Sequence, residues 1–330
     1  MIHSISVLTI AGGRRAHLVN MIHGLNRQTR PPAELVIGVL EPDLYTDLPP
    51  ADFAIRQIPV DRPAEMPLAR ARNTVAGAAS GDLLVFFDVD CIPGPDTLAE
   101  YAGWAAREPG VLMGEVAYMP AGATEHGIDY ARFDQVSERH PDRQGPPPEG
   151  RMRPCNDYRC FWSLNFAIPR ASFHAAGGFD ARFTGYGGED TDFARTLDET
   201  GVPIWWMRGG RVYHQYHPHH MPPVHHVESV VRNAELFATK WGHRTMEHWL
   251  HAFRMLGLIE KDETGIRILR APNAEDLEIS RQHAHMPYAH TRRVLDLIEA
   301  RRGEVATGRA RTAEVEAAQS DLRDPIAAAE

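Results

Sequence analysis

A chain of 330 residues is long enough for one large α/β domain with an appendage, or for two modest domains. Apolar residues make up 43% and charged residues 24%, which favours a packed core over disorder. The net charge of -9, from 35 basic and 44 acidic residues, argues against a chain whose main task is to coat nucleic acid, while leaving room for a local basic pocket that takes a diphosphate.

In chain order, Ile5 to Ile10 is an apolar run ended by Gly12-Gly13 and predicts a buried strand. Arg15 to Gln28 sets Leu18, Val19, Ile22 and Leu25 at helical spacing, and Pro31-Pro32 closes that helix. Strands are predicted at Leu35 to Leu40 and Ala54 to Val60, and a helix from Pro67 to Ala79. Leu83-Leu84-Val85-Phe86-Phe87 is a further strand that ends abruptly in Asp88-Val89-Asp90, and a helix follows from Pro95 to Arg107. Strands alternating with helices indicate an α/β fold whose mostly parallel sheet is covered on both faces. Ligands bind such sheets beyond the carboxyl ends of the strands, where Arg14 and the Asp88/Asp90 pair both fall.

From Pro120 to Cys160 the pattern dissolves into loop, a stretch of the kind that closes over a ligand. Phe161 to Ile168 predicts a strand, Arg170 to Ala176 a short helix, and Glu189 to Thr200 a helix stopped by Gly201. Val202 to Met207 and Arg211 to His214 predict strands, and His225 to Lys240 a helix. Residues 244 to 300 read as mostly helical, with a small hairpin near Asp262-Glu263-Thr264-Gly265, and the Ala/Glu/Arg-rich last thirty residues as a helical or frayed tail.

Three cysteines, Cys91, Cys155 and Cys160, are too few for a disulfide scaffold and read as reduced thiols. The N-terminus carries no basic region with a small-residue cleavage site, and no run approaches the ~18 apolar residues of a membrane span. A soluble cytoplasmic chain is expected, with peripheral membrane association left open.

Asp88-x-Asp90 at a strand end suits a hard divalent cation, because carboxylate oxygens bind such ions and a bound cation offsets the cost of burying the acids. Such a cation neutralises charge on a departing diphosphate. Gly187-Gly188-Glu189-Asp190 lets backbone approach a ligand and places two acids at a helix start, where one can serve as general base. Six histidines fall within the thirteen residues from His214 to His226, and one or two of them are expected to complete a metal site begun at Asp90. Arg14, and Arg70 or Arg72, suit a phosphate. Of Trp162, Trp205 and Trp206, at least two are expected in the core rather than on a sugar.

Taken in order, these segments resemble the GT-A glycosyltransferases, in particular the β-1,4-galactosyltransferase-like group and bacterial family-two enzymes. The matching residues are Arg14-x-x-His17-Leu18, Ala71-Arg72-Asn73, Asp88-Val89-Asp90-x-Ile92-Pro93, and Gly177-Gly178-Phe179 followed by Gly185-Tyr186-Gly187-Gly188-Glu189-Asp190. The resemblance implies a GT-A (Rossmann-like) domain over residues 1–243, with a nucleotide-sugar half (1–118) and an acceptor half (119–243), and a mainly helical extension over 244–330. It implies Asp190 as catalytic base with Glu189 assisting. Asp90 and Asp88 would bind a divalent metal, Mn²⁺ with Mg²⁺ as the alternative, and the shell would be completed from His214 and His217, which stand at the spacing where the galactosyltransferases carry a Met and a His. Donor contacts fall to Arg14, Arg72, Asp88, Thr9 and Ala11, and acceptor contacts to Tyr186, Gly187, Gly188 and Trp162. Tyr186 stands where that group has Trp.

The activity so implied is sugar transfer, with inversion, from a nucleotide sugar (UDP-linked by analogy) to a saccharide or other hydroxyl-bearing acceptor, with no nucleic-acid partner. A retaining transferase, a non-catalytic carbohydrate- or metal-binding module and a nucleotidyltransferase are the alternative readings.

Overall fold

The computed structural model describes residues 4–61, 65–140, 143, 145–262, 265–284 and 291–300. The first half runs β1 (Ile5–Ala11), α1 (Arg15–Leu25), β2 (Glu34–Val39), β3 (Ala54–Pro59), α2 (Leu68–Ala78), β4 (Leu83–Phe87), β5 (Cys91–Pro93), α3 (Thr97–Ala105), β6 (Val111–Met113) and β7 (Val116–Tyr118). The second half continues with α4 (Tyr130–Val136), β8 (Met152–Pro154), β9 (Asn165–Pro169), α5 (Arg170–Ala175), α6 (Glu189–Glu199), β10 (Ile204–Met207), β11 (Val212–His214) and β12 (His219–His220). It ends with α7 (Val227–Trp241), α8 (Glu247–Met255), β13 (Ile259–Lys261), β14 (Ile266–Ile268), α9 (Ala274–Ser280), β15 (Arg281–Gln282) and a helix over 291–300.

The central sheet has eight strands in the order β3-β2-β1-β4-β9-β6-β10-β8. β3, β2, β1 and β4 are parallel, β9 runs against both β4 and β6, and β8 runs against β10. Side-chain alternation splits the interior into two layers. Ile5, Val7, Leu83, Val85 and Phe87 pack on one face with Leu18, Met21 and Ile22 of α1 and Leu98 and Tyr101 of α3. Leu8, Leu84, Phe86, Phe166 and Ile168 pack on the other with Val75 and Ala76 of α2 and Phe193 and Leu197 of α6. The result is an α/β sandwich with helices on both faces, as the sequence implies.

Several predicted elements are corrected. The loop-rich stretch from Pro120 to Cys160 contains α4 and β8, and β8 extends the central sheet, with Trp205 opposite Pro154. The strand expected from Phe161 begins at Asn165, preceded by a 3₁₀ turn at Tyr158–Cys160 in which Asp157 caps the Arg159 N–H at 3.0 Å. The segment after 243 is mainly helical among the described residues, with short strands between its helices. β13 and β14 pair antiparallel around the predicted hairpin, whose Glu263 and Thr264 lie outside the described residues, and β15 pairs with β12. The expected tail over 301–330 also lies outside them. Cys91, Cys155 and Cys160 are all free thiols.

Residues beyond 243 do not stand alone: Met246, Leu250, Phe253, Leu258 and Ile259 share a core with Val227, Val230 and Ala234 of α7. α7 is tied to α6 through buried Asp192, which accepts from Lys240 at 2.8 Å and from the Trp241 indole at 2.7 Å. No helix among the described residues is long and apolar enough to cross a membrane.

Candidate active site

The carboxyl ends of β1 and β4 lie side by side, with Leu8 opposite Phe86 in parallel register. β4 runs into Asp88, and the chain turns at once, the Cys91 N–H donating to the Asp88 carbonyl at 2.9 Å. The returning β5 pairs antiparallel with β11 so that Cys91 faces His214, and the Gln215 N–H donates to the Asp90 carbonyl at 2.8 Å. α1 closes in from the β1 side. It can approach β5 because Gly24 has no side chain; a Cβ there would stand 2.8 Å from the Ile92 methyl.

Three elements thus meet at Asp90, which is 3% exposed. One carboxylate oxygen takes the Arg14 guanidinium and the other the His17 Nδ1 at 2.5 Å, while His217 Nε2 stands 3.5 Å from the first. Ligand-type atoms of Asp90, His214 and His217 all lie within 4.8 Å of one another. Burial works against ionisation of Asp90, but the hydrogen bond from His17 and the charge of Arg14 outweigh it and hold the carboxyl down at about 2. Burial drives His214 down to about 3 and His217 down to about 4, so both imidazoles are neutral at pH 7 and keep a lone pair. The Nδ1 of His214 is buried with no hydrogen-bond partner. A buried orphan nitrogen beside an ionised carboxylate and a second neutral imidazole is a donor set that fits a divalent cation.

A second group adjoins the first through Arg72, a 6%-exposed residue of α2. Its Nη1 donates to Glu189 Oε1 at 3.0 Å and its Nη2 stands 3.5 Å from Asp88 Oδ1. One guanidinium therefore joins the end of β4 to the start of α6. Gly188 caps α6 in the left-handed region at φ 92°, and Glu189, Asp190 and Asp192 crowd its first turn, where the helix dipole favours anions. Asp190 accepts the Thr191 N–H at 2.7 Å. Burial first, and the neighbouring Glu189 second, push its carboxyl up to about 7 against the pull of Arg72. A carboxylate poised near neutrality is suited to take a proton from a hydroxyl.

The loop before α6 is clamped from α7, where Asn233 Nδ2 donates to the Gly187 carbonyl at 2.7 Å and the Thr184 carbonyl at 3.0 Å. Tyr186 stacks against His226, with ring centroids 4.8 Å apart, and against Trp249 at 5.9 Å.

The structure therefore brings Arg14, Asp88, Asp90, His214, His217, Arg72, Glu189 and Asp190 into one continuous set, flanked by Tyr186, Gly187 and Gly188. Trp162 keeps other company: it meets His140 edge-on at 5.0 Å and lies under the Arg143 guanidinium at 5.1 Å. Thr9 has a buried hydroxyl with no partner, and Ala11 turns its methyl into the core while its carbonyl accepts from Leu40 at 2.8 Å. His17 has a place at Asp90 that the sequence reading did not assign to it, and so has Gln215, whose side chain bonds Asn20 at 2.7 Å and the His17 carbonyl at 3.2 Å. The available signal was spacing: Arg14 and His17 are three apart at a helix start and share a face.

Residues 52–150 match the family described as glycosyl transferase family 2, and residues 151–219 match the family described as N-terminal domain of galactosyltransferase. The two segments adjoin and take in both Asp88-x-Asp90 and Glu189-Asp190. The chain thus carries two adjoining segments that match glycosyltransferase families, on a fold like that of the GT-A enzymes. Among curated proteins it is similar to validoxylamine A glucosyltransferase of Streptomyces hygroscopicus subsp. jinggangensis (strain 5008), 29% identical over 202 residues, covering 52% of this chain and 44% of that protein. The enzyme of the same name from subsp. limoneus is 29% identical over 202 residues, covering 52% and 41%. The chain thus spans less than half the length of these relatives. Among solved structures it resembles GalNAc-T7 with UDP, GalNAc and Mn²⁺, with a TM-score of 0.50, 16% identity, and coverage of 77% of this chain and 51% of that one.

Proposed function

We propose that the chain transfers a sugar from a nucleotide-sugar donor to an acceptor hydroxyl. The observation that carries the reading is the single Arg72 guanidinium joining Asp88, beside the Asp90–His214–His217 cluster, to Glu189 next to Asp190. This bridge sets the candidate cation cluster beside the Glu189–Asp190 pair, which supports the reading. Asp90, His214 and His217 would hold a divalent metal, Mn²⁺ with Mg²⁺ as the alternative, and when bound it supplies charge neutralisation for a departing nucleoside diphosphate. Asp190 takes the proton of the acceptor hydroxyl, and Glu189, anchored on Arg72, fixes the start of α6 from which Asp190 acts. Arg14 faces the donor diphosphate from the β1 side. Direct displacement by the deprotonated hydroxyl inverts the anomeric centre.

A UDP-linked donor fits the UDP and Mn²⁺ bound in the GalNAc-T7 structure, and a glucosyl group fits the name of the validoxylamine A glucosyltransferases. Residues 1–118 serve the donor and 119–243 the acceptor, with the segment after 243 packed behind the acceptor half. Free thiols at Cys91, Cys155 and Cys160 fit a reducing, cytoplasmic setting.

The test is a thermal-shift screen of UDP-, GDP- and dTDP-sugars with and without Mn²⁺, followed by donor hydrolysis and NMR of the product anomer. Stabilisation by one donor only with Mn²⁺, and an inverted product, is expected. Binding of sugars with no donor turnover would instead support a non-catalytic module.

A further inference from the structure

Tyr186 sits one residue before the glycine pair of the Gly-Gly-Glu-Asp segment, where the resemblance places a tryptophan that touches the acceptor. In this structure its ring is flanked. His226 stacks on it at 4.8 Å with an interplanar angle of 10°, and Trp249 at 5.9 Å with an angle of 29°. The two flanking rings come from different elements: His226 from the turn that opens α7 and Trp249 from α8, outside both family-matched segments. A Cβ on Gly187 would lie 2.7 Å from Met246 Sδ and 3.1 Å from Trp249 Cζ3, so the loop is built to receive this part of the chain.

Two unfavourable features fall at the same place. Met246 holds a left-handed backbone at φ 57°, and it has the only positive φ of a non-glycine residue among the described residues. The Trp249 indole N–H is buried with no partner. Local strain of this kind persists where surrounding structure enforces it and clusters at ligand sites. Tyr186 precedes Glu189 by three residues and Asp190 by four on the loop that Asn233 clamps, and burial, with the charges of Glu189 and Asp190 after it, keeps its hydroxyl un-ionised.

We propose that His226 and Trp249 form a collar that occupies the ring faces of Tyr186 and leaves its hydroxyl as the acceptor-selecting group, reading a saccharide acceptor by hydrogen bonding rather than by ring stacking. Tyr186 is then a specificity residue, and Trp249 and His226 are positioning residues acting through it. This rests on the glycosyltransferase reading and adds to it a role for the segment after residue 243.

The experiment is steady-state kinetics with UDP-glucose and Mn²⁺ against a panel of methyl glycosides, with donor hydrolysis in their absence as the reference. Losing one neutral hydrogen bond, Tyr186→Phe should raise acceptor KM about 2- to 12-fold while donor KM stays constant. Trp249→Ala and, from the other side, His226→Ala should raise acceptor KM in the same direction. Trp249→Phe, which keeps a ring in the stack, should restore most of it, and Tyr186→Trp should not. Acceptor KM unchanged in Tyr186→Phe, or restored by Tyr186→Trp, overturns the proposal while leaving the transferase reading intact. A wild-type protein that hydrolyses the donor at a rate no glycoside alters refutes the saccharide class. One that turns over no sugar nucleotide at all refutes the transferase reading and this inference with it.

Discussion

Replacing Asp190 by Asn separates stability from catalysis in a way the structure fixes in sign. The carboxyl titrates at about 7 in the fold against 3.8 for an ordinary aspartate. Between those values the folded chain keeps a proton that the unfolded chain has already released, so stability falls as pH rises across the window and the full penalty is present above it. A difference of about three pKa units is worth ~4 kcal/mol, and partial water access to the half-buried side chain brings the expectation to ~2–4 kcal/mol. Asparagine carries no charge, so Asp190→Asn should be more stable than the wild type by that amount at about pH 8 and no more stable at about pH 4. Sugar transfer should meanwhile fall by about 10²- to 10⁴-fold. Wild-type kcat/KM should rise through an apparent pKa near 7 as Asp190 ionises. Urea unfolding followed by circular dichroism at the two pH values measures the first part, and initial rates measure the second. A stability gain equal at both pH values would show that Asp190 is not held against its own charge. Transfer surviving within tenfold would remove it as the base.

Arg72→Met leaves Asp88 and Glu189 without their shared cation, and should destabilise the chain by about 3–5 kcal/mol at neutral pH; an unchanged midpoint in thermal denaturation would show that the bridge carries no stability. His214→Ala removes the orphan nitrogen beside Asp90 and should weaken Mn²⁺ binding, read by electron paramagnetic resonance titration, by at least about 10-fold. Equal binding would take His214 out of the cluster. Gly187→Ala forces a Cβ against Met246 at a φ of +86° and should cost about 1–3 kcal/mol in thermal unfolding; an unchanged midpoint would mean that the 246–249 segment yields freely.

How far the sequence could be read follows from the range of the interactions involved. The strands β1, β2 and β4 are buried on both faces, so their apolar runs declare themselves without any tertiary knowledge. β5 and β7 are three residues each, too short for periodicity to speak, and exist because each pairs with β11. β8 carries intermediate or exposed side chains, and its identity comes from β10 alongside it. At the site, Asp88, Asp90, Glu189 and Asp190 were legible because each acid pair is local in the sequence, one closing an apolar strand run and the other following a glycine pair at a helix start. The role of His17 was not, since its spacing from Arg14 carries no sign of the carboxylate 73 positions away that it meets. Trp249 escaped for the same reason, with its partner Tyr186 lying beyond two intervening helices, α6 and α7.

The small sheet explains why His214 rather than its neighbour reaches Asp90. On β5, Cys91 faces the first core layer and Ile92 the opposite side; on β7, Val116 and Tyr118 face the first layer and Ala117 the other. β11 pairs with both in the same phase, Val212 opposite Pro93 and Val116, Tyr213 opposite Ile92 and Ala117, and His214 opposite Cys91 and Tyr118. Tyr213 is therefore committed to the cluster of Ile92, Met119 and Phe133, and its hydroxyl donates to Asp134 at 2.7 Å. His214, on the alternate face, packs against Tyr118 with ring centroids 4.8 Å apart and turns toward Asp90. Slipping β11 by one residue would bury a tyrosine beside the carboxylate and turn the imidazole into the apolar cluster of Ile92, Met119 and Phe133, because a strand's faces exchange at every step. Arg211 guards against that slip by anchoring the start of the strand on Glu115 at 3.1 Å and Asp134 at 2.9 Å. The metal-type cluster is thus a consequence of register in three short strands, and register is held by a salt-bridged arginine and a buried tyrosine rather than by the acidic motif itself.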